Sequence, residues 1–152
     1  MARDPHERKR KPEKFLINGP RIWLPLNMLQ GRAYASLSPS AKALLIDLAA
    51  QLRAAYGNIN NNGDLTTAIS VLHKRGWKSD KTIRTAAKQL EEAKLIVKTR
   101  QGRLPNKANL YAVTWLPLNE MDKLDISARN FPLNGFLLLD PPPPVKEERI
   151  KT

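Results

Sequence analysis

The chain of 152 residues contains no cysteine and only two histidines, His6 and His73. The first absence removes disulfides, thiolate metal sites and cysteine nucleophiles together, and it suits a reducing cytoplasm. The second leaves too few ligands for a zinc site, which needs three or four. Long apolar runs are missing as well. Nothing approaches the ~20 residues that cross a bilayer, and Met1–Lys14 is too polar for a signal peptide. Asp47 and Asp64 are too isolated to form a carboxylate pair, and neither a phosphate-cradling glycine loop nor a nucleophile–base pairing stands out. These gaps argue against an enzyme, a cofactor, a metal and a membrane partner.

What is present is positive charge. Lysine and arginine number 26 against 14 acidic residues, a net +12. Residues 15–117 hold 15 basic and 5 acidic side chains, whereas residues 118–152 are close to neutral. A basic folded body is suited to approach a polyanion, although solubility or general RNA affinity explains charge just as simply.

Composition divides the chain into three. Met1–Lys14, rich in Arg and Lys with Pro5 and Pro12, is a flexible basic arm. Residues 15–117 carry the periodic segments. Residues 118–152 show apolar clusters such as Phe136–Leu139 without a clean period, then Pro141–Pro144, and read as a partly disordered extension or one that orders against a partner.

Within the central segment, Pro25 opens a short helix over Leu26–Gln30. Ser38 and Pro39 are suited to the N-cap and first turn of a longer helix. Its stripe of Ala41, Leu44, Leu45, Leu48, Leu52 and Ala55 is buried, Lys42 and Arg53 lie off it, and Gly57 ends it. Asn58–Gly63 is turn-rich with one short strand at Ile59. Leu65, Ala68, Ile69 and Leu72 then repeat at helical spacing through about Lys74, and Arg75–Trp77 breaks the pattern. A third helix runs from the N-cap Ser79 to about Ala93. Leu95–Arg100 is a strand, Gln101–Ala108 a loop, and Asn109–Leu116 a second strand. The sum is a mainly α, α+β fold with a small β-hairpin, in the element order of a winged helix-turn-helix.

The third helix carries the functional reading. At 100° per residue, Ala86, Ala87 and Leu90 fall within about 60° of Ile83, and Lys81, Arg84, Thr85 and Lys88 fall opposite. Such a helix anchors through small apolar residues and offers cations and a hydroxyl to phosphates, guanine O6/N7 or a thymine methyl. Its N-terminus, at Ser79–Thr82, favours an anionic backbone. Gly76 supplies the turn that braces it. The candidate DNA contacts are therefore Lys78, Ser79, Lys81, Thr82, Arg84, Thr85 and Lys88 on the helix, with Arg100, Gln101, Arg103, Asn106 and Lys107 on the loop. Each basic surface alone is more simply a solvated one; two in a single domain point to double-stranded DNA. Trp23, Trp77 and Trp115 read as packing aromatics, with Trp77 pinning the turn, and His73 as an exposed or hydrogen-bonded helix residue.

Ser79, Thr82, Ile83, Arg84, Leu90, Glu91, Leu95 and Ile96 resemble the recognition-helix signature of many bacterial winged-helix regulators, with Lys94 where those commonly carry glycine. Asn61–Leu65, Arg75–Trp77, Thr99–Gly102 and Leu110–Pro117 resemble helix-turn-helix proteins of bacterial plasmids and prophages. The resemblance spans about residues 20–117. It implies a sequence-specific transcriptional regulator of a mobile element, a cytoplasmic, nucleoid-associated protein. Dimerisation, by which such folds double their contacts, would give a homodimer on a palindromic site. A replication initiator that recruits partners through Phe15–Leu37 or the C-terminal tail is a rival. So is a protein–protein adaptor, such as a phage-encoded inhibitor of a host factor.

Overall fold

The computed structural model describes residues 19–55, 57–103 and 107–139. The basic arm, the candidate contact Asn106 and the Pro141–Pro144 run lie outside the described residues.

Pro25 sets up α1 (Leu26–Gln30), and Gly31 separates it from α2 (Arg32–Ala35). α3 (Pro39–Ala49) begins where Ser38 Oγ accepts the Ala41 N–H at 3.2 Å, and it buries Ala41, Leu44, Leu45, Leu48 and Ala49. The helix stops two turns before Gly57, the end expected from the sequence. Tertiary hydrogen bonds explain the difference. Gln51 Nε2 donates to the Thr66 carbonyl and its Oε1 accepts the Thr66 N–H, both at 2.9 Å. Asn61 brackets the same turn, its Nδ2 donating to Gln51 O and its Oδ1 accepting the Arg53 N–H. Beyond it, β1 (Ala54–Ala55) pairs antiparallel with β2 (Asn58–Ile59), so Ala55 belongs to a strand and Gly57 to its turn.

A second correction concerns Leu65. Its helical spacing with Ala68, Ile69 and Leu72 is real, but β3 (Leu65–Thr66) pairs with β5 and claims the first of these residues. Thr66 Oγ1 accepts the Ala68 N–H at 3.1 Å, and only then does α4 (Ile69–Leu72) form, followed by a 3-10 turn at His73–Arg75. Gly76 closes that turn at φ 96°, a conformation that side chains with a Cβ disfavour.

α5 (Asp80–Glu92) starts at Ser79, whose Oγ accepts the Thr82 N–H at 3.3 Å. It ends in a left-handed residue. Lys94, at φ 58°, donates its N–H to Glu91 O, and the Leu95 N–H reaches back to Leu90 O. These two bonds make the Schellman closure, with Lys94 in the place that glycine usually occupies. The chain then enters β4 (Ile96–Arg100), which pairs antiparallel with β5 (Leu110–Val113); the sheet order is β3–β5–β4. A register irregularity between Lys98 and Arg100 leaves Thr99 free to turn inward, where its Oγ1 donates to Gly63 O at 2.6 Å. The architecture is mixed α+β with small antiparallel sheets.

All four residues of β5 are buried, although alternation predicts one inner and one outer face. The cause lies in residues 118–139, expected to be a partly disordered extension. Leu118 and Phe131 pack on Ala112, with Val97, Leu124 and Ile126 around them, and so cover the second face of the sheet. Further on, a 3-10 segment at Gly135–Leu139 inserts Phe136 into the main core alongside Met28, Leu44, Leu90 and Val113. Asn62, fully buried, ties this segment to the sheet. Its Oδ1 accepts the Val113 N–H, its Nδ2 lies 3.0 Å from the carbonyls of Val113, Leu116 and Pro117, and its own N–H donates to Asn119 Oδ1. Tyr111, also buried, has its phenol pKa raised by burial and by the Glu91 charge, against hydrogen bonds to Asn109 and Thr67 that lower it. It is therefore held protonated as a packing residue.

Trp115 is buried and Trp77 half-buried, but Trp23 departs from the packing role expected of it: 78% of its surface is exposed. It lies in the irregular stretch before α1, where no helix or strand folds it against the core.

Candidate nucleic-acid interface

The surface in question begins at the join between α3 and the turn after α4. Asp47, on α3, accepts Arg75 Nε at 2.8 Å and Trp77 Nε1 at 2.7 Å. One carboxylate thus holds both ends of the α4–α5 turn, and Trp77 pins it as the sequence suggested. Arg75 is thereby engaged within the protein. A second brace comes from Gln89, whose Oε1 accepts the Ser38 N–H and links the start of α3 to the last turns of α5.

With the turn fixed, α5 buries Ile83, Ala86, Ala87 and Leu90. Lys81, Thr82, Arg84, Thr85 and Lys88 are all exposed, as are Lys78 and Ser79 before them. Their chemistry is not uniform. Ser79 uses its hydroxyl as the cap. Thr85 Oγ1 donates to Lys81 O at 3.0 Å, and its side chain is exposed. Arg84 Nη1 forms an ion pair with Asp80 Oδ2 one turn back. Among the described residues, Lys78, Lys81 and Lys88 form no ion pair. Lys74 and His73, exposed on the preceding 3-10 turn, extend the polar surface. Lys74 was missed as a candidate, although its position before the turn glycine was readable.

The hairpin is built differently from the expectation. Arg100 is half-buried, and its Nη2 donates to Ala108 O at 2.9 Å, so its guanidinium braces the base of the loop. Gly102 permits that closure. A Cβ there would lie 2.5 Å from Lys107 O and 2.8 Å from Asn109 N, while the Gly102 N–H donates to Asn109 Oδ1. Arg103 and Lys107 face each other across a two-bond bridge of 2.9 Å each, and both side chains are exposed. Gln101 is exposed, but its Oε1 accepts Lys98 Nζ and its N–H donates to Asp125 Oδ2. Asp125, from the segment that covers the sheet, thus fastens the hairpin root. Nothing in the local sequence signals a partner 24 residues away.

A separate apolar cavity of about 510 Å³ is bounded by Ile22, Trp23, Ala54, Ile59, Leu116 and Pro117. Among the described residues, Arg21 is the one ionisable side chain in its lining. Among the described residues no group of three or more His, Asp or Glu side chains is placed to hold a metal, and no helix is long and apolar enough to cross a membrane. Comparisons with protein-family models, with curated proteins and with solved structures found no match.

Proposed function

We propose that the protein binds double-stranded DNA as a winged helix-turn-helix, with α4 and α5 as the helix pair, α5 in the major groove and the β4–β5 hairpin as the wing. One observation carries this reading: α5 is anchored by Ile83, Ala86, Ala87 and Leu90 while every basic residue on it points to solvent. Lys81 and Lys88, without acidic partners among the described residues, suit phosphate oxygens. Arg84 and Thr85 suit base edges. The role as a transcriptional regulator of a plasmid or prophage, working as a homodimer, rests on the resemblance of residues 20–117 to such proteins.

Selection of bound duplexes from a random pool, followed by titration across salt concentrations, tests the reading. A consensus should emerge, palindromic for a dimer, and the affinity should fall steeply with salt. Lys81→Ala and Lys88→Ala should each reduce the log–log salt slope by about 0.9, one phosphate contact apiece. A flat salt response with no enriched sequence would overturn DNA binding. That empty outcome, with a stable protein complex instead, is what the adaptor reading requires. Its support is the exposed Trp23, which lines the apolar cavity.

A further inference from the structure

Of the basic residues on the exposed face of α5, Arg84 alone is held by an acidic neighbour among the described residues. Asp80 is the first residue of the helix, and Arg84 stands one turn later on the same face. Both are open to solvent, the Arg84 side chain 69% exposed and that of Asp80 49%. Exposed i,i+4 pairs of this kind add little to folding. A carboxylate is also an unhelpful group at the start of a helix meant for a phosphate backbone. Stability at the helix N-terminus accounts for an acid here, but not for its engagement with the one arginine best suited to read a base.

The geometry points to a second role. A guanidinium presents five N–H donors in a rigid fork, and Asp80 engages only Nη1. The opposite edge, Nε and Nη2, has no hydrogen-bond partner among the described residues and carries two roughly parallel donors, the pattern that matches O6 and N7 of guanine. Held by Asp80, the arginine loses the freedom to swing onto a nearby phosphate. We propose that Asp80 is a positioning residue for base recognition. It fixes Arg84 with one edge toward guanine, and its own charge weakens binding to duplexes that lack that guanine. Lys81 and Lys88 carry no such restraint and serve any sequence alike. This inference rests on the DNA-binding reading and assigns the arginine a base, guanine, within it.

Asp80→Asn, compared with the unaltered protein on the selected consensus and on a random duplex, tests the proposal. Random-duplex affinity should rise several-fold as a negative charge leaves the phosphate-facing surface. Discrimination at one guanine should fall about tenfold, the lower range for one bidentate contact. Asp80→Glu keeps the charge and the helix preference but moves the carboxylate. Because the negative charge stays, its random-duplex affinity should not rise as that of Asp80→Asn does, while guanine discrimination should still fall, which guards against a folding defect in the first variant. In an Arg84→Ala background, Asp80→Asn should no longer alter base preference, because the two residues act as one unit. Undiminished guanine discrimination in Asp80→Asn overturns the proposal. So does a parallel loss of consensus and random binding with a lowered melting temperature, which marks a structural role only. If the unaltered protein binds no duplex at all, the DNA-binding reading fails first and takes this inference with it; the control arm makes the two failures distinct.

Discussion

Lys94 holds φ 58° at the end of α5, a conformation that costs a residue with a Cβ about 1–2 kcal/mol. The position tolerates this because its surroundings over-determine it. The Lys94 N–H and Leu95 N–H both close the helix, Thr114 Oγ1 donates to the Lys94 carbonyl at 2.8 Å, and Leu95 is fully buried against Leu90. The lysine side chain itself is exposed and makes no ion pair among the described residues. Lys94→Gly should therefore relieve the strain, offset in part by the greater freedom of glycine in the unfolded chain. A net gain of up to about 1 kcal/mol is expected, read from the denaturant midpoint at constant m-value. A loss of stability would show that the lysine stem contributes packing that outweighs the strain. The same residue shows a limit of pattern matching. A signature that expects glycine marks Lys94 as a departure, yet the backbone adopts the glycine conformation because the hydrogen bonds on either side leave no other path.

At the scale of elements, boundaries set by local chemistry were written in the sequence and those set by contacts across the fold were not. Ser38 and Ser79 cap α3 and α5 as their positions imply, because a cap is satisfied within three residues. The end of α3 is decided by Gln51 bonding to Thr66, and the start of α4 by Leu65 pairing with Tyr111. Both are contacts across the fold that no local window contains. The exposed face of α5 was legible for the same reason as the caps: its periodicity is local. The inward turn of Arg100 was not, since it depends on the close approach that Gly102 allows between the loop strands. The α4–α5 turn joins the two cases, with a readable Gly76 and an unreadable clamp at Asp47. Asp47→Ala should cost about 1–3 kcal/mol, because it leaves the half-buried Trp77 Nε1 without its acceptor while the exposed Arg75 regains water. Asp47→Asn, which keeps one acceptor, should cost less. Chemical denaturation of the two variants checks the order, and equal costs would assign the effect to charge rather than to the tryptophan hydrogen bond.

For the whole molecule, the decisive segment is 118–139. It is invisible to periodicity because it buries isolated residues, Leu118, Phe131 and Phe136, from loops and 3-10 turns rather than a stripe from one helix. Its packing gives β5 a cover on both faces and ties the hairpin root through Asp125. The basic surface on α5 and the apolar tail segment therefore share one core, since Phe136 and the anchoring residues Ile83 and Leu90 belong to the same buried cluster. Phe136→Ala should cost about 3–5 kcal/mol, the range for emptying a buried aromatic site. Because the cluster is continuous, that loss should lower the midpoint of a single cooperative transition rather than split off an early one. Far-ultraviolet circular dichroism and tryptophan fluorescence report on different parts of the chain, the helices for the first and Trp23, Trp77 and Trp115 for the second, and their curves should coincide in the variant. An early fluorescence transition with the helical signal intact would mean that residues 118–139 detach on their own, and that the exposed basic face of α5 is held by α3–α5 and the sheet without them.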